Sequence, residues 1–292
     1  MEDYKQEFDR RGCLGPFRVL SAGEIADLKY SIQVESKEFG ASNPYPPTNK
    51  ISLDQHLYLP CLLSLVTHER IVSRLKAAIG PDILCWRTSW FPKGPGDAGT
   101  DWHQAAQFHE FSGVAKLVPT QPDEFFELTA WVAFTDSTRE NGCLQIVPGT
   151  HRKWFYDETQ ELEFRAEEAR IKDGEPRSFY GYDTDRAKID ANFRPAAADI
   201  LDLEMTPGEV VVFTSRCLHG SRPNVTKNSL RLGMAIRYCA AHVKVYEGVE
   251  EFSFFKEKFP TANHRCLLVA GKPIYPNNRV MHPAELTRDL LI

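Results

Sequence analysis

A chain of 292 residues with 42% hydrophobic and 11% aromatic side chains can bury a sizeable core, and the length fits one β-rich domain of roughly 200–250 residues carrying an insertion. Its net charge of -5 and pI near 6.0 exclude the basic field that nucleic acid or an anionic membrane surface requires. Seven cysteines, scattered and free of CxxC pairs, fit free thiols in a reducing compartment and argue against a zinc site.

The opening MEDYKQEFDRRG has no apolar h-region, and no apolar run nears the ~20 residues that span a bilayer. A soluble, cytoplasmic protein is therefore expected. Residues 7–11 suggest a short helix stopped by Gly12. Ser21 and Glu24 have the spacing of a capping box, which predicts a helix over 22–38. Residues 42–50, with three prolines and two asparagines, read as loop. A second helix is expected over 68–79, with Thr67 as N-cap and Gly80 just past its end.

From Ile83 the pattern changes to short runs of aromatic and β-branched residues, predicting strands near 83–91, 127–135, 143–147, 209–214 and 230–245. Many short strands separated by turns such as Asn141-Gly142 and Pro148-Gly149 predict a sandwich or barrel with the helices buttressing one sheet. The polar stretch 157–199 lacks a clear period and reads equally as a lid or as a solvated excursion. The apolar segment 266–270 looks exposed and has no assigned place.

Nine histidines are present, and most histidines in proteins are ordinary core or surface residues. His56, His68, His242, His264 and His282 stay with that reading, and His109 and His151 remain undecided. His103 ends a Gly/Pro-rich stretch where a strand should begin, and His219 precedes the expected turn Gly220-Ser221-Arg222-Pro223-Asn224. Both would then stand at strand ends, where barrel mouths bind ligands. A period of two places Arg231, Gly233, Ala235, Arg237 and Cys239 on one strand face. Two arginines separated by small residues leave room for a small anion, although a structural ion pair explains them as well. The same period groups Glu127, Thr129, Trp131 and Ala133, so Thr129 and Trp131 either line that cavity or belong to the core.

The blocks LCWRTSWFPKGPGDAGTDWHQA (84–105), WVAFTD (131–136), NGCLQIVPGT (141–150), FYGYDTDRAKID (179–190), LHGSRP (218–223) and RLGMAIRY (231–238) together resemble the non-haem iron, 2-oxoglutarate-dependent aliphatic halogenases of the syringomycin type, within the phytanoyl-CoA hydroxylase-like superfamily. The likeness runs from about Gly15 to Tyr246. It implies a double-stranded β-helix, or jelly roll, as a single oxygenase-type domain over 1–292 with the lid or insertion around 157–199. Carried over by position, His103 and His219 resemble the iron-binding histidines. Arg231 resembles the arginine that pairs with the distal carboxylate of 2-oxoglutarate, helped by Thr100 and Trp131, and Arg237 the second arginine near the halide. Ala105 falls where hydroxylases of the superfamily carry an aspartate ligand and halogenases carry alanine or glycine.

The alanine has a chemical logic. Removing the carboxylate opens one more iron position and removes one negative charge, and chloride restores both. Iron(II), two neutral imidazoles, the 2-oxoglutarate dianion and chloride sum to a single negative charge, as they would with aspartate. The resemblance thus implies Fe(II), 2-oxoglutarate, chloride and O2 as cofactors. It implies chlorination of an unactivated carbon of an amino acid, with decarboxylation of 2-oxoglutarate to succinate and CO2. An aminoacyl peptidyl carrier protein is the implied partner, in specialised metabolism. The chain departs from the syringomycin-type member of the family at Glu110, which stands in place of a small polar amide, and at Ser89, which stands in place of a glutamate. Glu110 is read as a candidate for substrate choice, through a different substrate side chain or a different way of holding a substrate ammonium; as a replacement iron ligand it would instead make a hydroxylase. A hydroxylase, a halogenase of a free small molecule and an inactive jelly-roll binding module stay open as alternatives.

Overall fold

The computed structural model describes residues 4–39, 53–120, 125–163, 170–172, 174–179, 181–254 and 257–286. The opening helix spans Tyr4–Arg11. The helix Ala22–Phe39 starts on the capping box read from the sequence: the Ser21 N–H donates to Glu24 Oε2 at 2.7 Å, and the Glu24 N–H to Ser21 Oγ at 3.2 Å. The next long helix, Glu69–Ile79, is capped by His68, whose Nδ1 accepts the Arg70 N–H. Thr67 is not the cap, because its hydroxyl bonds back to the Leu63 carbonyl at 2.8 Å and closes the preceding short helix. Ile71, Val72, Leu75 and Ile79 recur at helical spacing and are buried against the larger sheet, each contributing about 1.5–3 kcal/mol of transfer free energy. The expected loop 42–50 lies outside the described residues.

Two sheets carry the fold. In the larger, the strand order is Cys13–Arg18, Glu209–Phe213, Glu127–Ala133, Arg231–Ala240, Ile83–Lys93, Cys266–Ala270 and Val280–Met281. The smaller runs Thr100–His103, Leu218–Ser221, Leu144–Val147 and Leu201–Leu203. Between Ile83 and Ala240 the chain passes back and forth between the two sheets, its strands pairing antiparallel with distant partners. That interleaving is the double-stranded β-helix, and it was expected.

A smaller core of Trp131, Ala133, Ile146, Val211, Phe213 and Ala235 draws on both sheets. Leu128, Ala130 and Val132, which alternate with Trp131 and Ala133, belong instead to the main core that includes the helices. The segment Cys266–Ala270 is a strand rather than an exposed run: it pairs with Ile83–Lys93, and Cys266, Leu267 and Leu268 are buried. All seven cysteines are free thiols.

Candidate functional site

His103 and His219 are brought together by strand pairing. His103 closes the strand Thr100–His103 rather than opening one. His219 lies inside Leu218–Ser221, so Gly220-Ser221 continues a strand where a turn was expected. The two histidines are direct partners in the antiparallel ladder, and directly paired residues project from the same face. Their ring centroids stand 4.0 Å apart.

Each imidazole is oriented by its own strand. His103 Nδ1 bonds the Asp101 carbonyl, and His219 Nδ1 the Cys217 carbonyl, both at 2.8 Å. A carbonyl only accepts, so each Nδ1 carries the proton and each Nε2 keeps its lone pair. Burial pushes the His103 pKa well down, and that of His219 to about 4, with the Arg237 charge adding to both. Two neutral imidazoles with backbone-anchored Nδ1–H groups are a donor set suited to a divalent transition metal. Among the described residues, no third His, Cys, Asp or Glu completes a metal-binding group with them.

Both histidines line a cavity of about 850 Å³ including its open mouth. Thr100, Ala105, Thr129, Trp131, Arg231 and Arg237 line it too, so the sequence-derived candidates other than Glu110 converge on one place. Alternation in the Arg231–Ala240 strand brings Arg231, Ala235 and Arg237 to the cavity. A β-bulge against the neighbouring strand follows, and Cys239 packs in the main core with Met234, Ile236 and Tyr238. Arg231 lies 5.3 Å above the Trp131 ring and donates to the Phe91 carbonyl at 3.2 Å. Gly233 is required here, because a Cβ on it would fall 1.9 Å from a Trp131 ring carbon. Arg237 donates to Ser89 Oγ at 2.9 Å on the adjacent strand. Glu110 belongs to the short turn His109–Phe111; its side chain lies outside the described residues.

Sequence patterns missed several lining residues. Phe179, within the stretch 157–199, packs on His103 with ring centroids 4.4 Å apart. His109, undecided from sequence, lines the cavity with its ring 5.2 Å from that of Trp86. Ser221 had been assigned to a turn. Its hydroxyl donates to Thr100 Oγ1 at 2.8 Å and accepts from the Thr100 N–H and from Lys93 Nζ at 3.1 and 2.7 Å. Lys93 is the ladder partner of Arg231. Burial, with Arg231 and Arg177 nearby, pulls its ammonium well below the usual lysine range. The only available clue was that the backbone near a paired strand end needs side-chain partners, which names no residue.

Fold and histidine pair together define the class, the Fe(II)/2-oxoglutarate dioxygenase superfamily. Within it, residues 8–232 match the model of the phytanoyl-CoA dioxygenase family, and the chain belongs to that family. Among similar proteins is a probable alpha-ketoglutarate-dependent hypophosphite dioxygenase of Stutzerimonas stutzeri, 27% identical over 186 residues, or 64% of this chain and 55% of that protein. The peroxisomal phytanoyl-CoA dioxygenase of Homo sapiens is 25% identical over 212 residues, 70% of this chain and 52% of that one. The chain thus spans about half the length of these curated relatives. Among solved structures, CytC3 with Fe(II) and alpha-ketoglutarate is similar over 96% of this chain and 93% of its own, at 27% identity and a TM-score of 0.70. EctD from S. alaskensis, at 16% identity and a TM-score of 0.58, shares the fold.

Proposed function

We propose that this protein is an Fe(II)- and 2-oxoglutarate-dependent halogenase that chlorinates an unactivated aliphatic carbon of an amino acid carried on a peptidyl carrier protein. One observation carries the reading: Ala105, two residues after His103, lines the cavity, and no acidic side chain does so among the described residues. The family and the fold likeness to CytC3, whose structure holds Fe(II) and alpha-ketoglutarate, support the two cofactors. Chloride and the carrier protein rest on the sequence blocks and on Ala105.

In this reading His103 and His219 hold iron through Nε2. Arg231, with Thr100 and Trp131 beside it, takes the distal carboxylate of 2-oxoglutarate, and a guanidinium suits that bidentate partner. Bound iron, 2-oxoglutarate, O2 and chloride supply the oxidant that removes a hydrogen atom and the chlorine that replaces it. The protein's task is placement: Ala105 leaves room for the halide, and Thr129 and Arg237 line the wall near it. Phe179, set against His103, keeps water from that ligand. Substrate position must favour the halide over hydroxide, and a displacement of about 1 Å can cost ~10²-fold. Glu110 is assigned to the substrate ammonium.

The test is anaerobic addition of Fe(II) and 2-oxoglutarate, which should give a visible charge-transfer band that shifts with chloride. Mass spectrometry of aminoacyl carrier proteins after exposure to O2 then reads the product. Absence of the band would remove the enzyme reading. A chloride-indifferent band with hydroxylated product would place the protein with the dioxygenases among its relatives.

A further inference from the structure

Residues 104–108 carry Ala105 but form no helix or strand, so their buried N–H groups need partners from elsewhere in the chain. The Ala105 N–H donates to the Ser215 carbonyl at 2.9 Å. The next three N–H groups, of Ala106, Gln107 and Phe108, all donate to one oxygen, Glu158 Oε2, at 2.6, 2.9 and 3.0 Å. Gln104, itself buried, donates to the carbonyls of Lys153 and Arg216 at 2.8 and 2.6 Å and accepts the Phe155 N–H at 2.7 Å. On the other side, Glu127 accepts the Ser215 N–H and the Ser215 and Thr214 hydroxyls at 2.7, 3.1 and 2.8 Å. It thereby fixes the residue whose carbonyl holds Ala105.

Both carboxylates are buried, and taking a carboxylate out of water is costly unless its lone pairs are satisfied. Burial raises both pKa values, that of Glu127 to about 7, against the pull of these donors. Ala105 and His109, at either end of the three amides, both line the cavity. Whatever holds those amides sets the position of two of its walls.

We infer that Glu158 and Glu127 are positioning residues that clamp the segment 104–108 from two sides and so fix the size of the anion seat beside Ala105. The identity of the anion, chloride, rests on the function proposed above, whereas the clamp is a property of the protein without cofactors. A loosened segment would admit water or larger ligands beside His103, weakening chloride without touching the Arg231 end that receives 2-oxoglutarate.

The test uses Glu158→Ala and Glu158→Gln, the amide oxygen of the latter remaining an acceptor. In cofactor-free protein, hydrogen exchange of the 105–108 amides should speed up roughly 10-fold or more in Glu158→Ala, with the Arg231–Ala240 strand unchanged and the glutamine variant in between. In the anaerobic Fe(II)/2-oxoglutarate complex, half-saturation by chloride should rise by about 10-fold while that by 2-oxoglutarate stays put. Unchanged exchange, or an equal loss for both ligands, would overturn the clamp. Should the alanine variant fail to fold, the glutamine variant decides by the same two readouts. If the wild-type band ignores chloride, the proposed function fails, and the exchange result still decides the clamp.

Discussion

Two of the buried polar clusters among the described residues differ in the charges they gather. In one, Asp54 and Arg87, both fully buried, pair at 3.7 Å, and His264 Nδ1 lies 3.7 Å from the other Asp54 oxygen. The Thr88 N–H donates to Asp54 at 3.1 Å, Arg87 Nη2 to the Tyr246 hydroxyl at 2.6 Å, and His56 Nδ1 meets Thr88 Oγ1 at 3.0 Å. Burial opposes the Asp54 charge, but Arg87 and His264 outweigh it and hold the pKa at about 2. The other cluster is the cavity. Its described lining holds Arg231, Arg237 and three histidines, His103, His109 and His219, without an acidic side chain. A cluster that closes on itself fastens the fold, here tying residues 54–56 and His264 to the Ile83–Lys93 strand. In the proposed function, the cationic lining of the cavity receives anions that come from outside.

Ala105→Asp tests the contrast most severely, since it brings a carboxylate into that cationic lining. The chloride response of the charge-transfer band and the chlorinated product should vanish; retained chlorination would contradict the halide seat. Asp54→Ala should remove the buried carboxylate that faces Arg87, costing about 3–5 kcal/mol of stability in urea unfolding. A small loss there would mean that the closed cluster does not fasten the fold. Arg231→Met should weaken 2-oxoglutarate about 10²-fold, or ~2.8 kcal/mol, while lowering cofactor-free stability by less than about 1 kcal/mol. Destabilisation as large as for Asp54→Ala would make Arg231 a structural residue and erase the difference.

The smallest effect is a pH dependence. Burial lowers the His56 pKa from 6.5 to about 4, so the unfolded chain takes up that proton first as the pH falls. The contribution is complete above pH 6.5 and is lost between 6.5 and about 4, with a slope approaching 1.4 kcal/mol per pH unit. Replacing His56 with Gln should flatten that part of the stability profile by up to this amount, as read by denaturant midpoints at several pH values. An unchanged profile would mean that His56 is not held neutral.

Much of the architecture was legible because its causes are local. The Ser21/Glu24 capping box needs only three residues of spacing, and the faces of 127–133 and 231–237 need only the pleat of a strand. Cys239, grouped with the arginines by that period, packs in the main core rather than at the cavity, because where a strand leaves the site depends on its neighbours and not on local pattern. His219 was found, but its turn was misplaced: Gly220-Ser221 has turn composition and yet pairs with Gln145 and Leu144 across the smaller sheet. The segment 266–270 looked exposed because its burial depends on docking beside the 83–93 strand, which no local period reports.

By itself the sequence determined the class of fold, the histidine pair, the two arginines on one face and the alanine where a carboxylate ligand is expected. The many short strands and the shared face of the arginines follow from residue type at short spacing, whereas the jelly roll, the role of the histidine pair and the significance of the alanine follow from the resemblance of the sequence blocks to a known family. Only the tertiary structure decided what surrounds Ala105. Phe179, Ser215, Glu127 and Glu158 come from four separated stretches, and the acidic residue that gathers three successive N–H groups sits in a segment that read equally as a lid or as a solvated excursion. An irregular buried backbone must satisfy its donors, but any carboxylate within reach can do so, and reach is a property of the folded chain.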